Sequence, residues 1–305
     1  MSELGQFRAV YESAGVYDKL LLPHYFDGRD DVALVTDLLE RTIGAPCQAL
    51  DIVEFGCGTG RMISALEAYA SRLVVCDYSA AMIDAVVDNV AVDETMWADT
   101  RDAVAKLLRE GRDGRFDVVA AFWSLSYPIG EFFEQMSAHA ITPREDVDLA
   151  RERARHFVGD MVKLLAPQGH FIALHFDAAT PEQRLVTRLW ERVSPFPEGG
   201  RSYTLNLLLD GLRAAEDRGD GVLSHTRCGG SAVAPSREAA LRWFLAVHLK
   251  SYPALVRDPQ VRAEIEEFID HYALSDGSVA LPSGAHVIHF RRSGHPVCHI
   301  PRRQP

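Results

Sequence analysis

The chain is short of the features that mark a membrane, secreted, disulfide-bonded or polyanion-binding protein. No apolar run approaches the roughly 18 residues that suggest a membrane span, and the start, Met1-Ser2-Glu3-Leu4-Gly5, has no signal-peptide architecture. A cytoplasmic protein with no membrane partner is expected. The five cysteines (Cys47, Cys57, Cys76, Cys228 and Cys298) are scattered, odd in number and without a C-x-x-C pair, which argues against a disulfide frame or zinc site. Positive charge is also scarce. Against 43 acidic residues stand 32 Lys and Arg, a formal net charge of −11. Nucleic-acid binding draws on Lys and Arg neutralising phosphates, so no nucleic-acid partner is expected. The sequence shows no internal repeat or low-complexity tract.

What is present is an ordinary globular composition, 47% hydrophobic and 25% charged over 305 residues, enough for one sizeable core. The chain is organised around Val53-Glu54-Phe55-Gly56-Cys57-Gly58-Thr59-Gly60-Arg61. A β-favouring apolar segment (49–55) ends in an acid and then in glycines at alternate positions, and a helical run follows. This predicts a strand, a tight turn and a helix start, where bare backbone amides can face a ligand. Rossmann-type sheets bind nucleotides at this point. The dinucleotide pattern G-x-G-x-x-G wants a third small residue at position 61, where the chain has Arg61. That speaks against an NAD(P)-dependent oxidoreductase, the rival reading.

Further along, Arg72 to Asp77 reads as a buried parallel strand ending in an acid, about 20 residues past the loop, where a carboxylate can accept ribose hydroxyls. A helix from Ser79 to about Asn89 is followed by a strand at 94–97 and by Ala98-Asp99-Thr100. Asp99 also suits the N-cap of the helix 101–110. The fourth strand is Phe116 to Phe122, followed by Trp123-Ser124, and the fifth is Phe171 to Phe176, whose alternation sets His175 and Asp177 on one face.

The pattern E-x-G-x-G-x-G resembles the first motif of class I S-adenosylmethionine-dependent methyltransferases. The order of later segments supports it: Asp77-Tyr78-Ser79-Ala80-Ala81-Met82 resembles the family's D-x-S-x-x-M, and Leu164 to Gly169 its L-x-P-G-G turn, with Gln168 in place of the first glycine. The likeness covers about 45–177. It implies an α/β, Rossmann-like class I methyltransferase fold with a central, mostly parallel seven-stranded sheet flanked by helices. It further implies a cofactor, S-adenosyl-L-methionine, held by Glu54, Gly56, Cys57, Gly58, Gly60, Asp77, Tyr78, Met82, Asp99, Thr100, Phe122 and Ser124. In the family the acid like Glu54 reaches the cofactor's ammonium, Asp77 its ribose, Tyr78 and Met82 flank adenine, and Asp99 meets the adenine amino group. No Asp/Asn-Pro-Pro-Tyr follows the fourth strand, and no acidic metal cluster is evident. A metal-independent enzyme acting on a small molecule at nitrogen, oxygen or an activated carbon is therefore expected.

One domain, 1–305, is expected: an N-terminal helical cap (1–44), the cofactor core (45–177), a substrate region (178–284) with a lid at 193 to about 250, and a last strand with a tail (285–305). Tyr17 and Tyr25 are candidates for orienting the substrate and His175 for a general base, each competing with a packing role. His286 and His289 face opposite sides of a strand and cannot chelate one ion together. A fold repurposed for cyclisation or rearrangement is a further alternative, and oligomeric state is open.

Overall fold

The computed structural model describes residues 19–136, 141–143, 146–196 and 200–294. Its centre is one mixed sheet. Strands β1 (His24–Phe26) and β2 (Arg29–Asp30) lead into helix α1 (Asp31–Thr42), then β3 (Leu50–Phe55), α2 (Ile63–Leu66), β4 (Ala70–Asp77), α3 (Ala80–Asn89), β5 (Glu94–Trp97), α4 (Thr100–Arg109) and β6 (Phe116–Phe122). After α5 (Ser126–Gly130) and a small hairpin, β7 (Glu134–Met136) with β8 (Ile141–Pro143), come α6 (Val147–Leu164), β9 (Leu165–Phe176), α7 (Pro181–Trp190), α8 (Tyr203–Asp217) and β10 (Gly221–Ala234). The chain ends with α9 (Arg237–Arg242), a wider π-helical turn (Trp243–His248), α10 (Pro253–Arg257), α11 (Pro259–His271) and β11 (Val279–Arg292).

The strand order is β2-β1-β10-β11-β9-β6-β3-β4-β5. From β9 through β5 all pairings are parallel, and from β9 through β2 all are antiparallel. This is the expected α/β Rossmann-like architecture, with two differences. The sheet has nine strands rather than seven, and its antiparallel half is as large as its parallel half. The additions come from 24–30, part of the segment expected to be helical. Gly229 and Gly230, a pair that by residue type alone would mark a loop, lie inside β10. A Cβ at Gly230 would sit 2.1 Å from the Tyr25 carbonyl oxygen, so its bareness is what lets β1 pair there.

The region expected as a lid differs as well. α8 buries Leu205, Leu208 and Leu212 in the main core, and β10 is an inner strand. Phe196, Arg201, Tyr203 and Thr204, then the π-helical turn with Lys250 and Ser251 after it, border the site. The crossover after the glycine loop is a single short turn, α2, where a longer helix was expected.

The parallel strands are buried on both faces, as their apolar runs imply. Val53, Val119 and Ala121 pack toward α4, α6 and α8, while Ile52, Val118 and Ala120 pack toward α1 and α2. Alternation places Glu54 on the second of these faces. Helix ends are capped by the residues the sequence offers: Asp30, Ser79 and Asp99 each accept a backbone N–H from the first turn of the helix that follows. Gln168 adopts φ +68°, the left-handed conformation that the glycine of the resembled turn supplies without strain. Among the described residues no helix is long and apolar enough to cross a membrane.

Candidate functional site

β3 and β6 are neighbours whose connections leave on opposite sides of the sheet, which opens a crevice at their carboxyl ends. The glycine loop fills its floor. Gly56, Gly58 and Gly60 all have positive φ (+73°, +54° and +88°). A Cβ on Gly56 would lie 2.3 Å from that of Ser124, so the loops after β3 and β6 touch there. Gly56 and Cys57 N–H both donate to the Cys76 carbonyl, at 2.7 and 3.0 Å, and the Ser124 hydroxyl donates to that of Phe55 at 2.7 Å. The loop is thus stitched to both neighbouring strands.

Asp77, at the end of β4, accepts from Gly58 N–H at 3.0 Å and from Ser79 N–H at 2.9 Å. Beneath the loop, Glu54 is 1% exposed, and among the described residues its Oε2 has no hydrogen-bond partner. Burial, with the Asp77 charge nearby, pushes its carboxyl up to about 8.

A cavity of about 330 Å³ opens over this floor. Gly56, Gly58, Asp77, Tyr78, Met82, Asp99, Thr100, Phe122 and Ser124 line it. Asp99 caps α4 through Arg101 N–H at 2.9 Å and also lines the cavity. Glu54, Cys57 and Gly60 do not reach the wall. The Cys57 thiol is buried, and burial raises its pKa well above the usual thiol value. Gly60 is a packing position, where a Cβ would meet Ile63 and Val86 at 3.2 Å.

The substrate-side candidates fare differently. Tyr17 lies outside the described residues. Tyr25 pairs with Ser231 at the antiparallel edge, is 39% exposed and takes no part in the cavity wall. His175 is buried with both ring nitrogens engaged: Nδ1 donates to the Phe176 carbonyl at 2.9 Å, and Nε2 lies 3.2 Å from the Thr204 hydroxyl. Burial lowers its pKa to about 4, so it is a neutral packing residue behind the wall. Its neighbour Phe176 lines the cavity instead. The two late histidines do separate across β11. His286 bonds His225 at 2.8 Å, and His289 bonds His170 at 2.9 Å. Among the described residues no cluster of three or more His, Cys, Asp or Glu suits a metal ion.

Sequence reasoning missed the other half of the cavity. Asp31, at the start of α1, is buried and takes a two-pronged contact from Arg61 together with the Trp123 indole N–H at 2.8 Å. Glu182 of α7 is 1% exposed, and one of its oxygens accepts from Trp243 Nε1 at 2.5 Å and bonds His248 Nε2 at 2.8 Å. Those two residues are five apart. An α-helix would set them on different faces, whereas the π-helical turn, with its i to i+5 repeat, brings both onto one carboxylate. Arg201, Lys250, Glu134 and Tyr203 complete the inner wall. No spacing rule read on an α-helix would have paired Trp243 with His248.

The donor set fits the cofactor that the resemblance implies. Behind the glycine loop Glu54 keeps an oxygen without a partner among the described residues, Asp77 sets a carboxylate on the cavity wall, and no described atom lies within 4 Å of where a side chain on Gly58 would project. Residues 52–143 match a family described as methyltransferase domain. No curated protein matches the sequence. Among solved structures, the chain is similar to the YcgJ protein from Bacillus subtilis, with 14% identity, 86% of this chain and 99% of that chain covered and a TM-score of 0.47. It is similar to the [4+2]-cyclase SpnF (13% identity, 96% and 94% covered, TM-score 0.48). It is also similar to the N-methyltransferase NodS from Bradyrhizobium japonicum WM9 in complex with S-adenosyl-l-homocysteine (16% identity, 85% and 86% covered, TM-score 0.41).

Proposed function

We propose that this chain, which carries a methyltransferase domain over residues 52–143, transfers the methyl group of S-adenosylmethionine to a small organic acceptor at nitrogen, oxygen or an activated carbon. The observation that carries the reading is the partnerless, buried oxygen of Glu54 beneath a glycine floor, with Asp77 at the end of the next strand. A buried carboxylate without a partner is costly, and a bound cation relieves that cost. When bound, the cofactor supplies a methyl group already activated on a sulfonium.

The work left to the protein is positioning and exclusion of water. Holding two reactants in line can contribute several kcal/mol, with an upper range of about 7–11. Asp77 takes the ribose, Asp99 the adenine amino group, and Tyr78 with Met82 the adenine faces. The aromatic wall of Trp123, Phe176, Trp190, Phe196 and Trp243 keeps the acceptor side dry.

Where the acceptor must lose a proton, His248 is the group placed to receive it. Its Nε2–H is directed at the Glu182 carboxylate, which leaves the Nδ1 lone pair as the basic position of a residue that lines the cavity. Glu182 fixes that tautomer and offsets the charge the ring gains.

Parallel calorimetric titration with S-adenosylmethionine, S-adenosylhomocysteine and NADH tests the reading. Micromolar binding of the first two, lost in Asp77→Ala with the fold intact, is the expected result. Binding of NADH alone would overturn it. Cofactor binding without methyl transfer across a broad acceptor panel would favour a repurposed fold that assists a cyclisation or rearrangement.

A further inference from the structure

Also on the cavity wall, Arg201 stands just before α8 with its guanidinium carbon 4.6 Å from the ring centroids of both Phe176 and Trp190. Nη1 donates to Gln183 Oε1 at 2.5 Å. Among the described residues it forms no ion pair with a carboxylate. Lys250 lies on the same wall, its Nζ 5.4 Å from the ring centroid of Tyr127 and 3.4 Å from that hydroxyl. Burial lowers the pKa of both cations, and the Arg201 charge pushes on Lys250.

Among the described residues, the acidic groups nearest Arg201 have other partners. Glu134 accepts the Tyr203 hydroxyl, and burial raises its carboxyl to about 7, so it is partly protonated near neutrality. Glu131 pairs with Arg101, and Glu182 serves Trp243 and His248. The hydroxyls of Tyr127, Tyr203 and Tyr252 are the other groups around them. No carboxylate among the described residues therefore forms an ion pair with the Arg201 guanidinium. A guanidinium used only to brace two rings would sit there at a high desolvation cost, which an apolar residue would avoid.

We propose that Arg201 and Lys250 form an anion subsite, and that the acceptor carries a carboxylate or phosphate on an aromatic frame that docks there. The planar fork of Arg201 suits two-pronged recognition of such a group. The stack of Phe176 and Trp190 fixes the plane of that fork, and the aromatic lining suits the frame. This deepens the methyl-transfer reading, since it names the class of molecule that lies beside the cofactor.

The test is calorimetry on the full chain at pH 7.5, first with S-adenosylhomocysteine and then, at saturation, with 4-hydroxybenzoate, 4-hydroxybenzamide and phenyl phosphate. The expected result is that at least one of the two anions binds about tenfold or more tightly than the amide. Arg201→Gln should shrink that preference below about twofold and leave the amide's affinity unchanged, and Arg201→Lys should keep part of it. Should circular dichroism show Arg201→Gln unfolded, Lys250→Met makes the same comparison. The carboxylate and phosphate arms tell which anion is preferred. Equal binding of acid and amide, a preference that survives the substitutions, or no binding of either anion would overturn the proposal. Failure of S-adenosylhomocysteine to bind would instead count against the cofactor reading, which separates the two.

Discussion

Arg61 of the glycine loop and Asp31 of α1 form a two-pronged ion pair, with Nη2 donating to Oδ2 at 2.6 Å. The same oxygen takes the Trp123 indole N–H at 2.8 Å, so three segments far apart in the chain meet on one buried carboxylate. Burial alone would raise the Asp31 pKa, but the Arg61 guanidinium and the Trp123 indole hold it below the usual carboxylate range. A small residue at position 61 could not make this tie. The side chain that argues against a dinucleotide fingerprint here locks the first helix over the site.

Asp31→Asn should therefore loosen the loop as well as the helix. Losing a charge-assisted, buried hydrogen-bond partner costs about 1–3 kcal/mol. The expected outcome is a thermal midpoint several degrees lower and weaker S-adenosylhomocysteine binding. An unchanged midpoint in a thermal melt followed by circular dichroism would show that the tie contributes nothing.

Glu54 makes a second expectation, through protons. With its carboxyl raised to about 8 by burial, the ligand-free protein holds this group protonated at pH 7. A cationic partner favours the ionised form, so ligand binding should release up to one proton and tighten as pH rises from 6 to 8. The stability of the ligand-free chain should move the other way, since a raised carboxyl contributes stability at low pH that is lost as pH rises toward 8. Calorimetry in buffers of different ionisation enthalpy measures the release. Glu54→Gln should abolish it, and a release that persists in that variant would remove the assignment.

The dyad of Glu182 and His248 predicts a split between chemistry and cofactor binding. His248→Ala should lower kcat by about 100-fold or more for an acceptor that loses a proton, and leave S-adenosylhomocysteine affinity within about twofold. Burial lowers the His248 pKa while Glu182 raises it, the net being below the ordinary imidazole value. The acid limb of kcat should accordingly lie below that value, and Glu182→Gln should move it lower still. A limb that ignores Glu182→Gln would sink the dyad. The groups facing the ring in this measurement are Glu182, Arg201 and Lys250.

Acid should unfold this protein early. His170, His175, His225, His286 and His289 are all held below the ordinary imidazole value, chiefly by burial. In each case the unfolded chain binds the proton more readily, so the stabilisation is fully present above about pH 6.5 and is lost as pH falls toward 4. The measurement is the thermal midpoint between pH 7.5 and 4.5, which should drop steadily with acid. A flat profile would mean that these rings are charged in the folded state or exposed.

Gly56 and Gly58 separate two uses of the same residue. Gly56→Ala drives a Cβ into Ser124, whereas at Gly58 no atom lies within 4 Å of where a methyl carbon would project, and only the backbone conformation resists. Left-handed strain costs about 1–3 kcal/mol, and a clash adds to it. Gly56→Ala should thus be the more destabilised variant in a denaturant titration, while Gly58→Ala should fold and bind ligand poorly. The reverse order would contradict the packing of the two loops.

Much of the cofactor half was legible because it is local. β3, the glycine loop and β4 follow one another within 28 residues, and each carries its own signature: an apolar run, a left-handed turn, a terminal acid. Ser79 and Asp99 could be read as helix starts for the same reason. The part of the cavity formed by α7, Arg201 and the π-helical turn was not legible. His175 looked like a base because strand alternation told which way it faced and not what covered it. Tyr25 looked available because a two-residue turn hid a strand. Gly229 and Gly230 looked like a loop because their reason for being glycine lies 205 positions upstream of Gly230, at the Tyr25 carbonyl.

The sequence by itself determined the parallel half of the sheet and the glycine floor, since hydrophobic period, turn residues and caps act over a few neighbours. Only the tertiary structure decided the added antiparallel edge, the clasp of Arg61 on Asp31, the meeting of Trp243 and His248 on Glu182, and the stacked guanidinium of Arg201. Each of these depends on which distant segments share a buried volume, and that is set by packing of the whole core, where no short-range rule reaches.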